Sequence, residues 1–116
     1  MSERTARVAE EFREVLAGEI PRLKDPRIGF ITVTRVDVTP DLRKAHVWYT
    51  IYGDDKAKAG SRAGLRSSRS RLRQVLGQQV RLKFTPELEF HEDMGMENLG
   101  RVDELLKRDE GGPGGV

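Results

Sequence analysis

The sequence predicts an α+β domain in which helices cover one face of a three-stranded sheet. Three observations carry that expectation. The chain opens with an amphipathic helical stretch. Two runs of alternating apolar residues follow, joined by a short turn. A long basic helical stretch then leads into a third alternating run. A length of 116 residues suits one such two-layer domain.

The first helix spans Thr5 to Glu19. Val8, Phe12, Val15 and Leu16 mark one face, and Glu10, Glu11, Arg13 and Glu14 mark the other. Gly18 and Pro21 weaken its end, because the residue before a proline is pushed away from helix. Lys24-Asp25-Pro26-Arg27-Ile28-Gly29 is a turn-rich link. Phe30 to Val38 is a strand. Ile31 and Val33 alternate, and Val36 and Val38 alternate one position out of phase, which predicts a bulge near Thr34-Arg35. Thr39-Pro40-Asp41-Leu42 is a turn. In the strand Lys44 to Tyr52, Ala45, Val47, Tyr49 and Ile51 line one face; Lys44, His46, Trp48, Thr50 and Tyr52 line the other. A short link between two strands makes an antiparallel pair.

Asp54 or Asp55 caps a helix that runs from Lys56 towards Gly77, where the glycine suits a stop. Val80, Leu82 and Phe84 alternate with Arg81 and Lys83, predicting the third strand before Pro86, with Leu88 and Phe90 as an extension. Asn98 to Lys107 reads as a short helix. The folded domain is expected to cover residues 1–108, and Asp109 to Val116, rich in glycine, to be a disordered tail.

Charge is distributed unevenly. Lys56, Lys58, Arg62, Arg66, Arg69, Arg71, Arg73, Arg81 and Lys83 fall between residues 56 and 86, where no acidic residue occurs. The formal net charge of only +2 hides this block, because acidic residues outnumber basic ones on either side. A basic stripe of this kind matches nucleic-acid phosphate, whereas an ordinary solvated face mixes signs. Arg62, Arg66, Arg69 and Arg73 are spaced 4, 3 and 4 apart and form one ridge on a helix. Leu65, Leu72, Val75 and Leu76 mark a core-facing stripe. On one straight helix Arg69 would stand almost above Leu76, so a bend is expected within Ser67-Ser68-Arg69-Ser70. Arg71, Arg81 and Lys83 flank the ridge as further contacts.

Other chemistry has little support. An apolar fraction of 36% supports one small core, but no apolar run is long enough to cross a bilayer. Met1-Ser2-Glu3-Arg4 is unlike a signal peptide, and a cytoplasmic location is expected. Cysteine is absent, which excludes disulfides and thiolate metal sites. His46 and His91 are far apart in sequence, and His46 is expected on a solvated sheet face. Glu87, Glu89, Glu92 and Asp93 read as a solvated strand end. Gly53, Gly60, Gly64 and Gly77 form no common phosphate-cradling loop. Trp48 and Tyr52 either stack on bases or are covered by the C-terminal segment. Binding has visible apparatus; catalysis and cofactors have none.

The order of elements is similar to the bacterial, type II KH domain: α-β-β-α-kink-α-β, with helices on one face of a three-stranded mixed sheet. Lys24-Asp25-Pro26-Arg27-Ile28-Gly29, Thr39-Pro40-Asp41-Leu42, Gln74-Val75-Leu76-Gly77, Pro86-Glu87-Leu88-Glu89-Phe90 and Arg101-Val102-Asp103-Glu104-Leu105-Leu106 narrow the match. In this order and spacing they resemble the ribosome-binding factor A family across residues 5–107. That resemblance implies a non-catalytic factor, monomeric and free of cofactors, membranes or small-molecule substrates. It implies partners in 16S rRNA, the free 30S subunit and its precursors, with support for 5′-end processing and growth in the cold. It further implies an Ala-x-Gly kink, which falls on Ser68-Arg69-Ser70 and adds Ser68 and Ser70 to the RNA-binding candidates. Both defining positions are serine here. Three other readings stay open: a general KH-type binder of single-stranded RNA, a basic protein-interaction module and, last in order, a ribonuclease.

Overall fold

The turn after the first strand reverses the chain and starts the sheet. Thr39 and Asp41 knit it together. The Thr39 hydroxyl donates to Asp41 Oδ1 at 2.7 Å, and Arg43 N donates to the same oxygen at 3.0 Å. These bonds, the hydroxyl first, hold the Asp41 carboxyl below its ordinary pKa. They also hold Leu42 at φ 61°, a left-handed conformation that a branched side chain rarely adopts unaided.

The computed structural model describes residues 3–93. Its elements are α1 (Glu3–Glu19), a 3₁₀ turn (Ile20–Arg22), β1 (Phe30–Val38), β2 (Lys44–Tyr52), α2 (Asp55–Ser67), α3 (Arg69–Gln79) and β3 (Glu87–Glu92). The sheet order is β1-β2-β3. β1 and β2 pair antiparallel, and β2 and β3 pair parallel, so the sheet is mixed. The fold is the expected KH-like α+β domain.

The pairing of β1 with β2 shifts register between Val33 and Arg35, at the expected bulge. The extra residue returns Val36 and Val38 to the face occupied by Ile31 and Val33. From that face Val33, Val36, Val38, Ala45, Val47, Tyr49 and Ile51 meet Phe12 and Leu16 of α1, Leu65 of α2, and Leu72 and Leu76 of α3 in one core.

Three expectations need correction. Residues Val80 to Phe84 form no strand; β3 is the run Glu87–Glu92 that looked like an extension. Val80 is buried and Leu82 packs against the core, but they anchor a connector, and Phe84 is 74% exposed. Alternation reported burial of the connector, not pairing. Gly77 does not stop α3, which runs two residues further to Gln79. Instead Thr85 crosses there: a Cβ on Gly77 would lie 2.8 Å from Thr85 Oγ1. Finally, His46 is only 1% exposed rather than solvated. The expected helix Asn98 to Lys107 and the tail lie outside the described residues.

The link between the 3₁₀ turn and β1 docks on α2 through small side chains. Gly29 N donates to the buried Ser61 hydroxyl at 2.9 Å. A Cβ on Gly64 would meet Ile28 Cγ1 at 2.5 Å and the Asp25 carboxylate at 3.2 Å. Asp25 is clasped by Arg27, whose Nη2 donates to Oδ2 at 2.6 Å and whose backbone N donates to Oδ1 at 2.9 Å. The Arg27 guanidinium draws the Asp25 carboxyl down from 3.8 to about 2.

Gly64→Ala should destabilise the fold by about 1–3 kcal/mol, because the added methyl overpacks a tight contact. Gly18→Ala, in open space near the end of α1, should stabilise it by up to about 1 kcal/mol. Urea unfolding of both variants checks the pair. A carboxylate whose folded pKa is depressed stabilises the fold above its unfolded pKa and loses that contribution as pH falls through the folded value. Wild-type stability should therefore fall between pH 3.8 and about 2 more steeply than that of Asp25→Asn. Thermal melts across that range measure it.

Candidate nucleic-acid interface

The basic block occupies α2, α3 and the connector to β3. Asp54 caps α2: its carboxylate accepts from Ala57 N at 2.8 Å, in extended backbone that then turns helical. Ser61, Gly64 and Leu65 face inward, towards the docked link and the core. The helix breaks at Ser68, inside the expected segment. Ser68 has φ −90° and ψ 1°, ends α2 and begins α3. Its N donates to both Gly64 O at 3.0 Å and Leu65 O at 3.1 Å, so the last turn of α2 tightens without stopping the chain. Its hydroxyl makes no cap bond. The neighbouring Ser67 hydroxyl accepts from Arg27 Nη2 at 3.2 Å. The break is thus fastened to the Asp25–Arg27 link rather than made by serine bonding back along the helix.

The nine predicted site residues fall into different settings. Arg66, Arg69, Ser70 and Arg71 are exposed around the break, and Ser68 is half-buried. Arg62 turns to β3, where its Nε donates to Glu92 Oε1 at 2.6 Å. That bond raises the Arg62 pKa. Arg73 clamps the connector: Nη2 donates to Thr85 O at 2.8 Å and Nε to Pro86 O at 3.2 Å. Arg81 and Lys83 are exposed on the connector itself. Arg69, Ser70 and Arg73 line a shallow groove of about 220 Å³ with Glu87, Leu88 and Glu89 of β3. Ser70 and Arg73 also meet Lys83 and Phe84 in an adjoining groove of about 440 Å³. The four-residue ridge is therefore divided: its two ends hold the sheet and connector, and its middle faces solvent. Sequence reasoning missed Phe84 by assigning it to a strand.

The acidic strand β3 is more than a solvated end. Glu89 lies 3.4 Å from Lys44 Nζ, Glu92 binds Arg62, and Asp93 accepts from the Thr34 hydroxyl at 2.9 Å. His46 and His91, distant in sequence, meet across the parallel pair with Nδ1 and Nε2 at 2.8 Å. With Glu89 they bring three metal-capable ligand atoms within 4.8 Å of one another. The two imidazole nitrogens are within hydrogen-bond distance, and the ring tautomers set which of them donates. That bond and the stacking of His91 on Trp48 account for their closeness. Burial pushes the Tyr49 phenol up, and the Glu92 carboxylate adds to the shift.

An interrupted basic helix pair over a parallel β2–β3 pair defines a small KH-like α+β domain whose exposed cations suit a polyanion. The profile of ribosome-binding factor A matches residues 4–106, and the chain belongs to the ribosome-binding factor A family. It is 48% identical to ribosome-binding factor A of Geobacter sulfurreducens over 111 residues, 95% of this chain and 94% of that one. It is 43% identical to the Geobacter metallireducens protein over 116 residues, 97% of this chain and 98% of that one. Among solved structures, the crystal structure of ribosome-binding factor A from Thermus thermophilus superposes with a TM-score of 0.66 at 30% identity, covering 76% of this chain and 94% of that one. A homology model of the Thermus thermophilus protein, fitted into the cryo-EM map of a 30S complex with that factor, gives 0.62 at 29% identity, covering 72% of this chain and 88% of that one.

Arg73→Ala should lower stability by about 1–2 kcal/mol, because two backbone carbonyls lose a charged donor. Arg66→Ala and Arg69→Ala should each stay within about 0.5 kcal/mol of wild type, as exposed substitutions do. Urea midpoints of the three variants separate the clamp from the exposed arginines.

Proposed function

We propose that this chain is a non-catalytic assembly factor. It binds the small ribosomal subunit and its precursors through 16S rRNA, supporting maturation of the rRNA 5′ end and growth in the cold. It acts as a cytoplasmic monomer. The observation that carries the reading is the basic block without acids, set on a broken helix whose Arg66, Arg69 and Arg71 are exposed. Family membership supports it, as does the similarity to the Thermus thermophilus factor, a homology model of which was fitted into the cryo-EM map of a 30S complex. Arginine grips phosphate at two points and stacks on unpaired bases, which suits RNA better than a lysine face would.

Arg62 and Arg73 have structural partners, so the test uses the exposed arginines. Replacing Arg66, Arg69 and Arg71 with alanine should flatten the slope of log affinity against log salt by about 2, at about 0.7 per phosphate contact on single strands. Filter binding of small-subunit RNA over a salt series measures the slope, and gradient sedimentation with 30S subunits measures association. Replacing Arg7, Arg13 and Arg22 should leave the slope near wild type. An unchanged slope in the first variant, or equal loss in both, overturns the reading.

A further inference from the structure

Beyond the broken helix, a third groove runs between the connector that follows α3 and the β1–β2 turn. We propose that it receives a single-stranded RNA segment, with one unpaired base stacked on Phe84 and adjacent phosphates held by Arg4, Arg43 and Lys83. This rests on the RNA reading above and names a site that the basic block alone does not contain.

The groove has a volume of about 710 Å³, within the usual range for a small-ligand site. Its cations come from separate elements: Arg4 from α1, Arg43 from the β1–β2 turn and Lys83 from the connector. Arg4 and Lys83 form no ion pair with a carboxylate among the described residues, and Arg43 has no carboxylate within ion-pair distance, though its charge helps to lower the Asp41 carboxyl. Phe84 stands among them at 74% exposure, with Lys83 Nζ 5.7 Å from its ring centroid. An exposed phenylalanine alone is common and needs no explanation. An exposed ring set among converging cations is the composition that seats single strands, since every base offers a π-face and every linkage a phosphate.

Two acidic residues also line the groove, and they limit where phosphate can lie. Asp41 has its carboxylate engaged by the Thr39 hydroxyl and Arg43 N, within the turn. Glu87 is exposed where β3 meets the turn, its N donating to Arg43 O at 2.9 Å, so its carboxylate borders the Arg43 end of the groove. Arg73 does not supply a phosphate contact here; it fixes the wall, because its guanidinium holds the carbonyls of Thr85 and Pro86 directly after Phe84. The groove shares Arg73, Lys83, Phe84 and Thr85 with the adjoining depression that Ser70 also lines. Ser70, next to the break, lies in that depression with Phe84, so a strand on α3 can reach the ring through it.

The experiment measures binding of a short fluorescein-labelled single-stranded RNA of mixed sequence and, separately, of heparin, a polyanion without bases. Phe84→Ala should weaken RNA binding about ten-fold, the loss of one stacked base, with an unchanged salt slope. Its heparin binding should match wild type. Phe84→Trp should keep RNA affinity, because indole stacks as well. The double replacement Arg43→Ala and Lys83→Ala should flatten the RNA salt slope by about 1.4. Wild-type RNA affinity in Phe84→Ala, or equal loss of RNA and heparin, overturns the stacking site. Binding of wild type to 30S subunits but not to the free single strand also overturns it and leaves the assembly-factor reading standing. Failure of wild type to bind either overturns both.

Discussion

Strands β2 and β3 run parallel, and the chain between them is shaped by that constraint. An antiparallel neighbour needs only a short turn, but a parallel one requires the chain to return to the starting end of the sheet. Here α2, α3 and the connector make that return. The crossover must pack on one face, so Leu65, Leu72 and Leu76 turn inward over the sheet. The arginines between them then have only the outside. The basic surface is a geometric consequence of the parallel pair as much as of composition. The same pairing joins His46 to His91 and brings Glu92 towards Arg62.

The break in the crossover is held from outside the helix. Gly60, Ser61 and Gly64 offer α2 a side with almost no bulk, and the link carrying Asp25, Arg27 and Gly29 lies directly against it. Gly60 alone would place a Cβ 3.2 Å from Arg27 O. Glycine within a helix costs about 1 kcal/mol relative to alanine, so close backbone packing must offset that loss. Arg27 then reaches Ser67 at the end of α2. The direction of the chain at Ser68 is thereby tied to a segment 40 residues away in sequence.

Side chains of one type do different work in this surface. Arg62 closes onto β3 and Arg73 onto the connector, while Arg66, Arg69 and Arg71 stay exposed. Spacing alone makes Arg62, Arg66, Arg69 and Arg73 equivalent, because a helical repeat records direction but not what lies across the gap. The partners are Glu92 and two backbone carbonyls, brought near by the crossover. Conversely, Arg4 and Arg43 sit in mixed-charge stretches of sequence and look like solvated ions, yet they share a groove with Lys83 and Phe84.

Local periodicity and composition were enough to establish the α+β class, the α1 face, the antiparallel pair with its bulge, the broken helix and the concentration of positive charge. Each is written over stretches where neighbours in sequence are neighbours in space. The third strand, the extent of α3 past Gly77, the burial of His46 and the sorting of the arginines depend instead on contacts between distant segments. Val80 and Leu82 alternate with exposed residues just as a strand would, but among the described residues they pair with no strand. The free edge of β2 begins at Lys44, and the chain reaches it only at Glu87. Local pattern specifies which side chains avoid water; only the return path of the crossover specifies which backbone finds a partner.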